Sequence, residues 1–398
     1  MFMARQPIYD GNTEVEAYEL LFRRGDQGFA GDVNLADSAS ALTTAVVELG
    51  LEQLVGARRA FVNIPYELLV SDCLQVLPPD RVVIELLETI EPTLDVIEAV
   101  KKLKGQGYTI ALDDYVFEGD LDALIDLADI IKVDVMGVDP QAVKSKIFKF
   151  RKRGIRLLAE KVETHEMFRL CRSIGFELFQ GYFFAKPELM RGKGAPGGIA
   201  VVQLLTKLQD PMVRLSELEG LINNDVSLNY RLLKLVRSAY VGVGGAVDSV
   251  GQALAFLGTR RTLALVSLLA MSGMNDKPDE LLITAMIRAR LCELAAAAAG
   301  LGPPEKFFTV GLMSVIDALL DMTMETLLPD LPLSDEINAA LLGTDTESPL
   351  SELLRCVYAL ERGDWDKVSF LQVAPGALAD AYVSAVRWAA ETNQALAA

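Results

Sequence analysis

Polar residues of the kinds that bind metals and phosphates recur at the ends of short apolar segments in the first half of this 398-residue chain. They are Glu19, Asn63, Glu85, Asp113 with Asp114, Lys132 with Asp134, Glu160 and Gln180. Several carboxylates that converge in a confined site cannot all stay ionised unless cations neutralise them. Because oxygen donors without His or Cys suit Mg²⁺ or Mn²⁺, we expect a metal site.

Two such ions bridged by a shared carboxylate would activate a water and stabilise the leaving oxygen in an in-line attack on a phosphodiester. The sequence therefore leads to the hypothesis of phosphodiester hydrolysis. Taken singly, each of these residues is better explained as a solvated loop acid or a helix N-cap. Their repetition on seven consecutive predicted strands indicates a common site.

The segments that carry these residues are rich in Val, Ile and Leu and predict eight strands. Their bounds are Phe2–Tyr9, Val15–Arg23, Ala60–Ile64, Val82–Leu86, Thr109–Leu112, Ile130–Val135, Ile155–Ala159 and Leu178–Phe184. The tight-turn sequence Asp10-Gly11-Asn12-Thr13 favours an antiparallel hairpin, whereas the later gaps can hold crossover helices. We infer an α/β fold, a TIM-like (β/α) barrel with an antiparallel first strand. Its strands would present the polar residues at one mouth, at their carboxyl ends.

The spacing of apolar residues changes after the glycine-rich run Arg191-Gly192-Lys193-Gly194-Ala195-Pro196-Gly197-Gly198. From Ile199 onward apolar residues recur at helical spacing, as in Leu215, Leu218, Leu221 and Ile222. We therefore expect a barrel domain over residues 1–190, a linker over 191–198 and an all-helical domain over 199–398.

The composition limits the classes of partner. A net charge of −17 repels nucleic acid and anionic membranes, so an anionic ligand needs locally placed metals or arginines. The 4 cysteines are far apart, without CxxC spacing, and indicate core thiols rather than a disulfide framework or a zinc site. No signal pattern or membrane-spanning apolar run is evident, which predicts a cytoplasmic protein.

Over residues 1–190 the ordered motifs resemble the EAL family of cyclic di-GMP phosphodiesterases. The motifs that carry the resemblance are Gln6-Pro7-Ile8, Glu19-Leu20-Leu21-Phe22-Arg23, Phe61-Val62-Asn63-Ile64, Glu85-Leu86-Leu87-Glu88, Asp113-Asp114, Lys132-Val133-Asp134, Glu160-Lys161-Val162-Glu163-Thr164, Gln180-Gly181-Tyr182 and Lys186-Pro187. In the name-giving motif, Leu20 stands in place of the family's Ala.

The resemblance implies a role for each matching residue. Glu19, Asn63, Glu85 and Asp113 would hold one metal ion, and Asp113 and Asp114 would share a second. Lys132 would orient the water, and Glu160 would act as base or ligand, so that Glu160, Lys132 and Glu19 form the catalytic set. Gln6, Arg23, Asp134 and Gln180 would contact the dinucleotide, and Glu88 would anchor the loop after Asp114.

The chain departs from the family pattern in two places. The usual Asp-Asp-Phe-Gly-Thr-Gly-Tyr-Ser-Ser-Leu becomes Asp113-Asp114-Tyr115-Val116-Phe117-Glu118-Gly119-Asp120-Leu121, which removes glycines from a loop that orders the metal site and dimer face of the family. Lys161 replaces the glycine after the first glutamate of the seventh-strand motif. We expect Lys161 to point to solvent, and a salt bridge across the mouth is the alternative.

From about residue 199 the chain resembles an HDOD domain, a relative of HD phosphohydrolases without their metal dyad. The motifs include Leu215-Ser216-Glu217-Leu218 and Ser249-Val250-Gly251-Gln252-Ala253. Where an HD enzyme would show Gly-Leu-Leu-His-Asp-Ile-Gly, this chain has Gly311-Leu312-Met313-Ser314-Val315-Ile316-Asp317, and the chain's 1 histidine is His165. We expect a regulatory or binding module here.

The sequence thus predicts a cyclic di-GMP signalling protein whose barrel binds the dinucleotide and hydrolyses it to linear pGpG with Mg²⁺ or Mn²⁺. Its HDOD domain would pass the state of the barrel to a protein partner. The sequence leaves open whether the chain forms a homodimer. Three alternatives remain: a receptor with an inactive barrel, a protein–protein adaptor that has lost the nucleotide, and a metal-dependent barrel enzyme acting on a phosphorylated metabolite.

Overall fold

The computed structural model describes residues 2–23, 50–113, 122–136, 140–187, 249, 251–252, 278–331 and 333–397. The chain divides into two units, Met1–Phe184 and Ala185–Ala398. The expected linker over 191–198 lies outside the described residues. Among the described residues, no helix combines the length and apolarity needed to cross a bilayer.

The first unit is a closed barrel in which eight strands pair in the order of the sequence. The strands are β1 Phe2–Asp10, β2 Val15–Arg23, β3 Arg59–Ile64, β4 Val82–Leu86, β5 Thr109–Leu112, β6 Ile130–Asp134, β7 Arg156–Glu160 and β8 Leu178–Gln180. β1 runs antiparallel to both β2 and β8, and the remaining pairs are parallel. The predicted α/β barrel with an antiparallel first strand is confirmed.

The hairpin that reverses β1 is a turn organised by one side chain. Asp10 Oδ1 accepts hydrogen bonds from the backbone N–H groups of Asn12, at 2.8 Å, and Glu14, at 2.9 Å. An Asp side chain that binds the following N–H groups in this way stabilises a tight turn. The turn therefore forms at the predicted position, and β1 is the strand that runs against the others.

Helices follow the later strands, as crossover connections between parallel strands require. Those described are α1 Leu51–Val55, α2 Tyr66–Leu69, α3 Leu94–Gly105, α4 Asp122–Ile125, α5 Pro140–Lys152 and α6 His165–Ile174. In α3, Val96, Val100 and Leu103 are buried at helical spacing. α6 begins after Thr164, whose Oγ1 accepts from the N–H of Met167, and ends at Gly175 with a φ of 113°.

One apolar residue from each strand forms a core layer inside the barrel. Its members are Ile8, Ala17, Phe61, Val83, Ala111, Ile130, Leu158 and Leu178. Because alternate residues of a strand face the same side, the residue two positions further toward the mouth on each strand also faces inward. The core layer therefore supports a second layer of inward-facing side chains, nearer the mouth of the barrel.

The eighth strand is shorter than predicted. The sequence favoured Leu178–Phe184, but β8 ends at Gln180 and a 3₁₀ helix follows over Tyr182–Ala185. Gly181 lies between them with a φ of 147°, and a Cβ there would approach the carbonyl oxygen of Val162 to 2.1 Å. The chain turns out of the sheet at the one residue type that permits this close approach.

The second unit is helical in its described part. Its helices are α7 Asp279–Ala298, α8 Pro304–Met313, α9 Ile316–Leu320, α10 Met324–Leu327, α11 Asp335–Leu342, α12 Pro349–Arg362 and α13 Pro375–Ala397. α7 is buried along most of its length. α8 lies against it at Gly311, where a Cβ would come within 2.5 Å of the carbonyl oxygen of Arg288.

Replacing Gly181 by alanine tests this description of the barrel end. Gly154→Ala is the matched control, since Gly154 also has a positive φ, 79°, but nothing lies within 4 Å of its added Cβ. The control should lose about 1–2 kcal/mol of unfolding free energy from backbone strain. Gly181→Ala should lose about 1–3 kcal/mol more from overpacking against Val162. Urea unfolding of both variants measures the difference, and equal losses would contradict the described contact.

Candidate functional site

Above the core layer, seven strands each contribute one polar inward-facing residue and the residue directly after β5 supplies the eighth; together these form what we call the polar layer. It consists of Gln6, Glu19, Asn63, Glu85, Asp113, Lys132, Glu160 and Gln180. On β2 to β8 each lies two residues after the core-layer residue, and on the antiparallel β1 Gln6 lies two residues before Ile8. Strand alternation thus explains why these residues meet at one end of the barrel.

The centre of the polar layer is the ammonium group of Lys132, which is only 1% exposed. Its Nζ lies 2.9 Å from Asp113 Oδ1, 2.9 Å from Glu160 Oε1 and 3.2 Å from Glu19 Oε2. It also donates a short hydrogen bond to Glu85. An ammonium has three protons, so it cannot donate to four carboxylates at once.

The amides of the polar layer complete a continuous network. Gln180 Nε2 donates to Glu19 Oε2 at 2.7 Å and to Gln6 Oε1 at 2.8 Å. Asn63 Nδ2 donates to Glu19 Oε1 at 3.1 Å. Every member of the layer is therefore connected to the others through Glu19 or Lys132.

The charges of the layer do not balance if all groups are ionised. Four carboxyl groups face one ammonium, and burial disfavours each uncompensated charge. Burial, followed by the neighbouring Glu19, raises the pKa of Glu85 well above its usual value despite Lys132. Burial likewise raises the pKa of Glu160 to about 7, against the lowering effect of Lys132.

The same carboxylates also shift the pKa of Lys132. Burial lowers the pKa of Lys132, but the four surrounding carboxylates together raise it well above the usual value. Lys132 therefore stays charged, and the layer keeps protons on its carboxyl groups instead. A cation entering the layer would replace those protons.

Four buried oxygen atoms of the layer have no hydrogen-bond partner: Asn63 Oδ1, Glu85 Oε2, Glu160 Oε2 and Gln180 Oε1. All four are acceptors, and buried acceptors require a donor or a cation. The donor set fits a hard divalent cation, which takes carboxylate and amide oxygens. In the described residues, however, no three acidic, His or Cys side chains are arranged around a ready metal position. The carboxylates of the polar layer converge on Lys132 instead.

The structure thus brings together eight of the residues predicted from the sequence. Asp114 and the Arg23 side chain lie outside what the structure describes. Glu88 is exposed in the turn after β4, and the loop it was expected to anchor is not described. Their assigned roles stay predictions.

Asp134 and Lys161 lie at the edge of the polar layer. Asp134 ends β6, and its Oδ2 is 2.5 Å from Lys161 Nζ. Lys161 is exposed to solvent, as the sequence predicts, and its side chain also pairs with Asp134. The salt bridge joins the ends of the neighbouring strands β6 and β7 and does not cross the mouth.

In the second unit, the segment aligned with the HD metal motif contributes Ser314 to the surroundings of a buried ion pair. Arg288 NH2 lies 2.7 Å from Glu361 Oε2, and Arg288 NH1 donates to Ser314 Oγ at 3.1 Å. The guanidinium also lies over the ring of Tyr358, 4.8 Å from its centroid. Ser314 stands where the HD motif has histidine, so this position serves a hydrogen-bond network.

Comparison with known proteins finds a matching family model in each half of the chain. The family model described as EAL domain matches residues 1–187, and the model described as HDOD domain matches residues 199–330. Cyclic di-GMP phosphodiesterase CdgJ of Vibrio cholerae serotype O1 is 35% identical over 376 residues, covering 92% of this chain and 86% of that protein.

Two further similarities extend the comparison. The uncharacterized protein YuxH of Bacillus subtilis is 31% identical over 404 residues and covers 98% of both chains. A solved structure of a standalone versatile EAL protein from Vibrio cholerae O395, in its c-di-GMP-bound form, is 26% identical with a TM-score of 0.39. That match covers 46% of this chain and 91% of the other.

Removing the central cation tests the role of Lys132 in the fold. Lys132→Met keeps much of the side-chain volume but leaves the carboxylates without a counter-ion, which should cost about 3–5 kcal/mol of unfolding free energy at neutral pH. The deficit should shrink on acidification, since the carboxyl groups then take up protons. Lys104→Met is the control: Lys104 forms a part-exposed pair with Asp129, worth about 0–1 kcal/mol. Equal losses in the two variants would contradict the described network.

The raised pKa of Glu160 has a defined consequence for stability. A carboxyl whose pKa rises from 4.5 unfolded to about 7 folded stabilises the fold fully below 4.5, and this contribution is lost as the pH rises through about 7. In EDTA, Glu160→Gln should therefore flatten the fall in melting temperature across this range. Glu166→Gln, at an exposed position of α6, should leave the slope unchanged. An unaltered slope in Glu160→Gln would refute the described environment.

Proposed function

The chain belongs to the EAL domain family, in the form that also carries an HDOD domain, and on that premise we propose that it binds cyclic di-GMP at the polar layer and hydrolyses it to linear pGpG. The observation that carries the proposal is the polar layer itself. It gathers four carboxylates, two of them with unpartnered oxygens, at the end of a barrel where such folds hold their active sites.

We propose that Glu19, Asn63, Glu85 and Asp113 hold a divalent cation, Mg²⁺ or Mn²⁺, and that Asp113 with Asp114 shares a second. When bound, these ions supply water activation and charge stabilisation at the phosphodiester. The unpartnered oxygens of Asn63 and Glu85 support this assignment. The proposal also agrees with the excess of carboxylates over described cations in the layer.

Glu160 is suited to accept the proton of the attacking water. Its Oε1 is held by Lys132 at 2.9 Å, which leaves Oε2 as the acceptor. Burial favours the protonated form of this carboxyl and raises its pKa, so it takes up a proton readily. In the proposed step the water oxygen would bond to phosphorus and its proton would pass to Glu160 Oε2. The bond from phosphorus to the leaving oxygen would break, and that oxygen would keep the bonding electrons and take up a proton from solvent.

Lys132 and the two glutamines position the reacting groups. Lys132 lies within ion-pair distance of the carboxylates of Glu19, Glu85, Asp113 and Glu160, and its location among them also suits the water-orienting role. Gln180 is fixed by Gln6 and Glu19, which leaves its Oε1 available for a ligand donor. Such preorganised groups lower the barrier because they need no rearrangement during the reaction.

We propose a regulatory rather than hydrolytic role for the helical unit. A metal dyad of the HD type needs histidine, and the chain's 1 histidine, His165, lies in the barrel. The aligned segment places Ser314 in a network with Arg288 and Glu361. On this account, the HDOD unit transmits the state of the barrel to a protein partner.

The test is incubation of the full chain with cyclic di-GMP and Mg²⁺ or Mn²⁺, followed by chromatography for pGpG. We expect product from the wild type. Glu19→Gln should lose about a hundredfold or more of the hydrolysis rate, because Glu19 connects the amides of Asn63 and Gln180 to Lys132. Glu14→Gln, in the exposed hairpin at the other end of β2, should keep full activity.

The other outcomes separate the remaining functions. Binding without product would overturn hydrolysis and leave a cyclic di-GMP receptor, and absence of binding under either metal would leave a protein–protein adaptor. Hydrolysis that persists at full rate in Glu19→Gln would locate the activity away from the polar layer.

A further inference from the structure

The pair formed by Lys161 and Asp134 places a positive charge beside the polar layer. Lys161 follows Glu160 directly at the end of β7, and Asp134 pairs in register with Glu160 from β6. Asp134 Oδ1 accepts a hydrogen bond from the N–H of Met136 at 2.8 Å, while its Oδ2 holds Lys161 Nζ. The Asp134 carboxylate is thereby oriented by the backbone and in turn orients the Lys161 side chain.

The backbone at Lys161 has a conformation that favours glycine. Its φ is 55°, in the left-handed region that side chains other than Gly, Asn and Asp rarely adopt. The next residue holds it there: the N–H of Val162 donates to the carbonyl of Gln180 at 3.0 Å, and its carbonyl accepts from the N–H of Phe183 at 3.1 Å. The EAL pattern has glycine at this position, so a lysine here is a strained substitution. Such strain at a site points to a use of the side chain.

The two lysines at this end of the barrel differ in what they can reach. Lys132 is buried and surrounded by four carboxylates, so an anionic ligand could approach it only by displacing them. Lys161 is 53% exposed and carries three donors on a movable stem. An anionic group above the polar layer can therefore contact Lys161 without disturbing the buried network.

We propose that Lys161 is a ligand-binding residue that contacts a phosphate of the dinucleotide, and that Asp134 is its positioning residue, in place of the direct contact with the dinucleotide that the resemblance implied for Asp134. This inference rests on the proposed function. The mouth is otherwise rich in acidic groups, which repel the two phosphates of the ligand. A cation fixed beside Glu160 offsets that repulsion and adds a charge-assisted contact, among the stronger hydrogen bonds of proteins.

The test is isothermal titration of cyclic di-GMP into the full chain with Ca²⁺. This ion is a weaker Lewis acid than Mg²⁺ and is used so that binding is measured without hydrolysis. Chromatography verifies that the nucleotide stays intact. Lys161→Gly and Lys161→Gln should each raise the Kd about tenfold, and the Kd should depend less on salt than in the wild type. Glycine adopts the required φ freely, so Lys161→Gly keeps the fold. The control is Lys104→Gln, which removes the same charge from a part-exposed pair with Asp129 at the opposite end of β6 and should leave the Kd unchanged.

Three results would contradict the inference, and they are distinguishable. A wild type that binds while Lys161→Gly binds within about twofold of it would overturn the role of Lys161 alone. A change in melting temperature without a change in Kd would make the pair with Asp134 merely structural. A wild type that does not bind cyclic di-GMP would overturn the proposed function, and this inference with it.

Discussion

Four carboxyl groups, two of them buried and two largely buried, surround one ammonium group and are the constraint on which the rest of the barrel depends. Charges removed from water are costly unless they are paired, and here the negative groups outnumber the described positive one. The layer meets this constraint by retaining protons, which is why the pKa values of Glu85 and Glu160 are raised. A site of this kind is ready to exchange protons for a cation.

The barrel supplies the rigidity that such a site requires. Each strand places one apolar side chain in the core layer and one polar side chain directly above it, so the closed sheet fixes all eight polar groups at once. The antiparallel β1 is no exception, because its reversed direction brings Gln6 to the same level as Gln180. Beyond β8, Gly181 allows the chain to leave the sheet and to hold Val162, and with it Lys161, at the mouth.

Much of this arrangement could be predicted from the sequence, since short Val/Ile/Leu-rich segments with a polar residue at the end define both the strands and the level of the site. The central role of Lys132 as the counter-ion of four carboxylates could not, because sequence spacing does not give distances across a barrel. The 3₁₀ helix after Gln180 was also missed: its apolar residues Tyr182, Phe183 and Phe184 read as a strand until the conformation of Gly181 is known. The partner of Lys161 could not be predicted either, because Asp134 lies 27 positions away in sequence.

Proton release on metal binding tests the central claim most directly. Mn²⁺ would be titrated calorimetrically into the EDTA-stripped, dialysed protein at a pH of about 6.5, in buffers of different ionisation enthalpy. The account predicts binding with release of about one proton or more per site, because carboxyl groups such as Glu160 are still protonated at that pH and must ionise when the cation enters. Binding of Mn²⁺ without proton release, or no binding at all, would contradict the account.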